Sequence, residues 1–193
     1  MKKFLIRHFV ADYENTKDRK VRESYGKLAG VVGIVSNLFL CCFKIGTGLA
    51  FNSIAVAADG INNLSDASGS LVTLIGFRLS GKKADAEHPY GHGRAEYLTG
   101  LTISVMIMVI GVQLLRSSVE KTIRPEPVIF SWITVPVLAV AILVKLWQAR
   151  FYISLGKTID SATLKATGTD SRNDVLATSA VLLAIGLEQL CGY

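Results

Sequence analysis

"ADGINNLSDASGS", residues 58–70, places Asp59, Asn62 and Asp66 inside a stretch that otherwise has the length and apolar character of a membrane helix. On insertion scales each Asp at the centre of such a helix costs roughly 2.5–3.5 kcal/mol. A chain that keeps them there has a use for them, and the segments around this one show what surrounds it.

Half of the 193 residues are hydrophobic and the mean hydropathy is +0.41, too apolar for an ordinary soluble domain and suited to an all-α, polytopic membrane helix bundle. About 20 apolar residues cross a bilayer, and five stretches reach that length: Leu28–Ala50, Ser53–Leu79, Tyr97–Val119, Val128–Tyr152 and Ser161–Leu190. Residues 1–27 form a charged leading segment and 28–193 the transmembrane domain. The opening "MKKFLIRHFVADYENTKDRK" interrupts its apolar run with Arg7 and His8 and offers no small-residue cleavage site, so a retained N-terminus is expected. The link "GLAFNS" is short and uncharged, which predicts an antiparallel hairpin of the first two spans.

Lys and Arg set the expected orientation. They crowd the leading segment, the link holding Arg78, Lys82, Lys83 and Arg94, and the link holding Arg150, Lys157 and Lys165, so these three are expected in the cytoplasm of a cell-membrane protein with its N-terminus inside. The net charge of +6 is accounted for by this distribution and by no stripe with interleaved aromatics, which argues against nucleic acid as a partner. Cys41, Cys42 and Cys191 have no metal-ligand spacing and read as small packed hydrophobes. Gly69, Thr73 and Gly76, at helical spacing, read as packing positions. Lys44 is expected to snorkel and Pro136 to bend the fourth span.

Residues four apart share a helix face. Asn62 and Asp66 have that spacing in the second span, and Asp170 and Asp174 repeat it in the fifth, within "KATGTDSRNDVLATS". Where the two faces meet, up to three carboxylates and one amide oxygen converge. Their mutual repulsion in low dielectric calls for a cation between them or a shared proton. An all-oxygen set without His or Cys favours a hard ion such as Mn²⁺ over zinc, with Fe²⁺ only modestly different. Isolated helix–helix hydrogen bonding accounts for one buried Asp but poorly for two matching pairs. An intramembrane aspartyl protease needs single aspartates facing each other from separate helices, so an enzyme is not expected. The loop "KKADAEHPYGHGRAEYL" adds Asp85, His88 and His92, whose spacing suits a second divalent site and equally a plain Pro/Gly turn.

Three motifs in order, "SIAVAADGINNLSDASGSL", "ADAEHPYGHGRAEYL" and "KATGTDSRNDVLATS", resemble the cation diffusion facilitator family of divalent-metal/proton antiporters. The resemblance runs from about residue 28 to the end. It implies a homodimer of six-span protomers, five of whose spans are present here, with a transport site at Asn62, Asp66, Asp170 and Asp174 and a secondary loop site at Asp85, His88 and His92. The absence of His from the four transport positions resembles the manganese branch, in agreement with the ligand-hardness argument. The sixth span and C-terminal cytoplasmic domain usual in the family are absent from these residues. The expected function is proton-coupled efflux of Mn²⁺ without a resident cofactor, with a zinc or iron exporter, or a membrane metal sensor or scaffold that does not transport, as alternatives.

Overall fold

Asp18 opens the first long helix: its side chain accepts hydrogen bonds from the backbone N–H of Lys20 at 2.7 Å and Val21 at 3.2 Å, satisfying donors that a helix start leaves unpaired. In the computed structural model, which describes residues 2–51, 53–123 and 132–191, that helix is α2, Arg19–Ala50. It is preceded by α1, Lys2–Phe9, and followed by α3, Ile54–Ser80, α4, Ala95–Ile123, α5, Thr134–Thr158, and α6, Ala162–Cys191. No strand occurs among the described residues, and the fold is all-α.

The charge of the leading segment conceals α1. Ile6 and Val10 are buried together with Val21, Tyr25, Phe77, Phe151 and Leu155, and the Tyr25 hydroxyl donates to the Tyr13 carbonyl at 3.0 Å. Phe4 and Phe9 stay exposed. The first turns of α2 are held from two sides by Arg22, which donates to both Glu96 carboxylate oxygens at 3.1 Å and to the Ile159 carbonyl.

Two tight hairpins make up most of the bundle. In the first, α2 and α3 run antiparallel with backbones nearly touching: a Cβ on Gly30 would lie 2.7 Å from Leu74 Cβ and 2.9 Å from Leu74 Cα. Small residues permit this approach, which dispersion forces then reward. Gly30→Ala is expected to spread the hairpin and cost about 1–3 kcal/mol by overpacking, read as a lower midpoint for thermal unfolding in detergent. In the second hairpin α5 packs on α6, with the turn residue Asp160 at φ 48°, in the left-handed region that Asp tolerates better than most side chains. α4 bridges them, touching α3 where Gly76 meets Thr99 and α6 where Thr163 donates to the Glu96 carbonyl at 2.9 Å.

By length and composition α2, α4 and α5 can each cross a membrane. α3 and α6 fall outside that group; they carry the polar pairs. Much of the apolar surface of α4 is exposed, including Leu101, Val105, Met108 and Val112, a surface suited to acyl chains.

Three expectations are corrected in detail. α5 starts at Thr134, so Pro136 occupies a first helical turn, where its missing N–H is harmless, and does not interrupt a longer span; part of the stretch read from Val128 lies outside the described residues. Lys44 does not snorkel: its ammonium is buried and 2.7 Å from Asp59 Oδ2. Gly69 has open space where a Cβ would point and so makes no close helix contact on that side among the described residues, whereas Gly76 does serve close packing.

Candidate metal-transport site

Midway along α3, Asp66 projects toward α5 and α6. One carboxylate oxygen of each of Asp66, Asp170 and Asp174 can be chosen so that all lie within 4.8 Å of one another. Asp66 is 11% exposed at its side chain and Asp174 28%, so the group sits within the bundle with a partial opening. The i,i+4 spacing stacks the two α6 acids on one face, and the turn at Asp160 sets α6 beside α5.

Between two of these acids lies a residue to which oxygen-ligand chemistry does not point. Lys145, on α5 and 7% exposed at its side chain, places Nζ 2.6 Å from Asp66 Oδ2 and 2.7 Å from Asp174 Oδ2. The signal was present in "AVAILVKLWQ": a lone Lys in an apolar run needs an acidic partner. With all three carboxylates ionised, one ammonium leaves the cluster with two uncompensated negative charges, the charge a divalent cation supplies. Exposed Arg172 is not the partner of either acid.

The amides divide differently from expectation. Asn62 is exposed on α3. Its neighbour Asn63 is buried at 2% exposure and donates from Nδ2 to Asp66 Oδ2 at 3.4 Å. Asp59, two turns away, is engaged by Lys44 and stands apart from the three acids.

At the end of the bundle that carries α1, Asp85, His88 and His92 also offer ligand atoms within 4.8 Å of one another. Asp85 Oδ1 accepts from the His88 backbone N–H at 2.7 Å, and this hydrogen bond is the main cause holding the Asp85 carboxyl below its usual range. Gly91, at φ 75°, turns the chain back so that the two imidazoles lie 4.4 Å apart between centroids. His92 Nδ1 is 3.2 Å from the Lys83 carbonyl. Because a carbonyl only accepts, Nδ1 carries the hydrogen and Nε2 is left facing Asp85 Oδ2 at 3.5 Å. Two acceptors turned toward one another form a seat for a proton or a metal ion.

Comparison with known proteins places this geometry in a family. The cation efflux transmembrane domain matches residues 30–192. The manganese efflux system proteins MneS and MneP of Bacillus subtilis are 33% and 26% identical over 160 and 164 residues, covering 83% and 85% of this chain and 55% of each relative. The cation-efflux pump FieF of Klebsiella pneumoniae is 29% identical over 170 residues, 86% of this chain and 57% of the relative. The chain therefore spans somewhat more than half the length of the curated relatives it matches. With its acid cluster between apolar helices and a domain match over most of its length, the chain belongs to the cation efflux family of membrane transporters, the cation diffusion facilitators.

Proposed function

We propose that the chain carries the ion pathway of a proton-coupled divalent-cation exporter with Mn²⁺ as its main substrate. The observation that carries this reading is the convergence of Asp66, Asp170 and Asp174: an all-oxygen, net-negative set inside a bundle of a transporter family. Asn62 completes the ligand set, its exposed side chain approaching the acids in the loaded state. Oxygen donors favour Mn²⁺, and two manganese efflux proteins are among the relatives. The cation-efflux pump FieF is among the relatives too, and iron, whose ligand preference differs only modestly, and zinc stay as competing substrates.

In this mechanism the N-terminus and the loops after α3 and α5 are cytoplasmic. Mn²⁺ enters from that side and takes the place of protons on the carboxylates. Movement of the helices opens the site outward, and protons from the external side weaken binding and release the ion. Asp85, His88 and His92 hold a second divalent ion at the cytoplasmic mouth, and the working unit is a homodimer in the cell membrane.

The test is Mn²⁺ flux in proteoliposomes under a set pH gradient. Flux should follow the gradient, stop when an ionophore collapses it, and exceed Zn²⁺ flux under the same conditions. Mn²⁺ binding with no flux would support the sensor or scaffold reading. Flux of Zn²⁺ alone would overturn the hard-ligand argument.

A further inference from the structure

Lys145 gives the cluster a cation of its own, and the helices around the cluster carry acceptors that nothing satisfies. Three buried side-chain amide oxygens, on α2, α3 and α5, accept no hydrogen bond among the described residues: Asn37 Oδ1, Asn63 Oδ1 and Gln148 Oε1. Their residues are 4%, 2% and 0% exposed. An unpaired buried acceptor is costly, and three on neighbouring helices need an explanation.

Two of these orientations, those of Asn63 and Gln148, follow from their partners. A carboxylate only accepts, so Asn63 must turn Nδ2 toward Asp66, as it does at 3.4 Å, and send Oδ1 away. Ser36 donates its hydroxyl hydrogen to the Val32 carbonyl, so it can only accept from Gln148 Nε2, which leaves Gln148 Oε1 without a donor. Gln148 is one turn along α5 from Lys145. Asn63 and Lys145 donate to the same oxygen, Asp66 Oδ2. The pairing of Gly30 with Leu74 and Gly33 with Ser70, continued by one turn, sets Asn37 level with Asp66. Three acceptors without donors thus lie on helices that flank the acid cluster, close to its level, and the ammonium there has three N–H bonds to give.

We propose that Lys145 is a tethered, exchangeable occupant of the transport site: its ammonium holds Asp66 and Asp174 together while the site is unloaded, and moves to the oxygens of Asn37, Asn63 and Gln148 when a divalent cation takes the carboxylates. The inference rests on the transport-site reading above. The ammonium keeps its proton throughout, and only its acceptors change. A divalent ion and the ammonium cannot both sit on the same two carboxylates without strong repulsion, so loading requires this displacement. The tether gives the unloaded acids a cation of fixed charge, and a cation of single charge, bound no better than the lysine, cannot evict it. Lys145 is accordingly a positioning and specificity-determining residue.

The experiment is equilibrium Mn²⁺ binding to the full chain in nanodiscs, with free Mn²⁺ read by its electron paramagnetic resonance. Removing a competitor that occupies the site about nine-tenths of the time raises apparent affinity on the order of tenfold, and this is the result expected for Lys145→Met. Gln148→Leu deletes one landing oxygen while leaving the ion cluster intact, so it should weaken Mn²⁺ binding by about threefold or more through the same equilibrium. Opposite signs support the exchange, because general loosening of the fold would move both variants the same way. Unchanged or weaker binding in Lys145→Met overturns the proposal. So does unchanged binding in Gln148→Leu, which would leave Lys145 as a fixed charge. Asp174→Ala separates the two levels of argument. Lost binding there with no gain in Lys145→Met overturns this inference alone, and wild-type affinity there overturns the transport-site reading together with it.

Discussion

Asp66→Ala is expected to reduce Mn²⁺ flux in proteoliposomes by at least about a hundredfold, since replacing even the outer partners of a metal ligand commonly costs 10–100-fold in affinity or activity. Asp66 is the α3 member of a set whose other two acids come from α6, and in the proposed site it is the ligand by which an ion would join the two helices. The same change releases one of two acceptors of Lys145 Nζ, so the variant also loses a buried ion pair. Removing one partner of such a pair costs about 3–5 kcal/mol, and thermal unfolding should be measured beside flux. A variant that is folded and inactive fits a ligand; a folded variant with wild-type flux would remove Asp66 from the site. Asp174→Ala should behave alike, as it contributes the other acceptor at 2.7 Å.

Asn62→His is expected to shift the Zn²⁺:Mn²⁺ flux ratio toward zinc by roughly tenfold or more, because imidazole suits zinc better than an amide oxygen does and zinc stands above manganese in the general affinity order. The side chain is exposed in the structure, so the substitution should be accepted without strain and its effect confined to selectivity. An unchanged ratio would mean that Asn62 is not a ligand in the loaded state. In that event Asn63, already bonded to Asp66, becomes the amide to examine.

How far these features could be read without coordinates depended on the physical signal each one carries. Long apolar runs announce helices because lipid leaves backbone groups no other partner, and the paired acids on α3 and α6 stood out against that background. α1 did not, since an eight-residue helix with three basic side chains looks like a charged tail until Ile6 and Val10 find a core to enter. The start of α5 at Thr134 leaves no mark in the sequence, because the apolar residues before Pro136 carry no boundary of their own. Lys44 illustrates a charge whose fate depends on a neighbour: near a helix end it could reach water, but the tight turn brings Asp59 within 2.7 Å. Lys145 shows in the sequence only as a lone Lys in an apolar run, because an ammonium does not bind a cation but stands in for one.

The packing of the two hairpins has a mechanical consequence. α2 lies on α3, and α5 on α6, far more extensively than α2 lies on α5, and the glycine-lined seam of the first hairpin leaves little slack. Each pair is therefore a stiff beam, joined to the other by a hydrophobic cluster at the end that carries α1 and, nearer the acids, by polar fastenings, Lys145 to Asp66 and Gln148 to Ser36, with α4 braced across both. Strain applied to such an assembly collects at the fastenings, where hydrogen bonds can be exchanged one at a time, and leaves the interior of each beam undeformed.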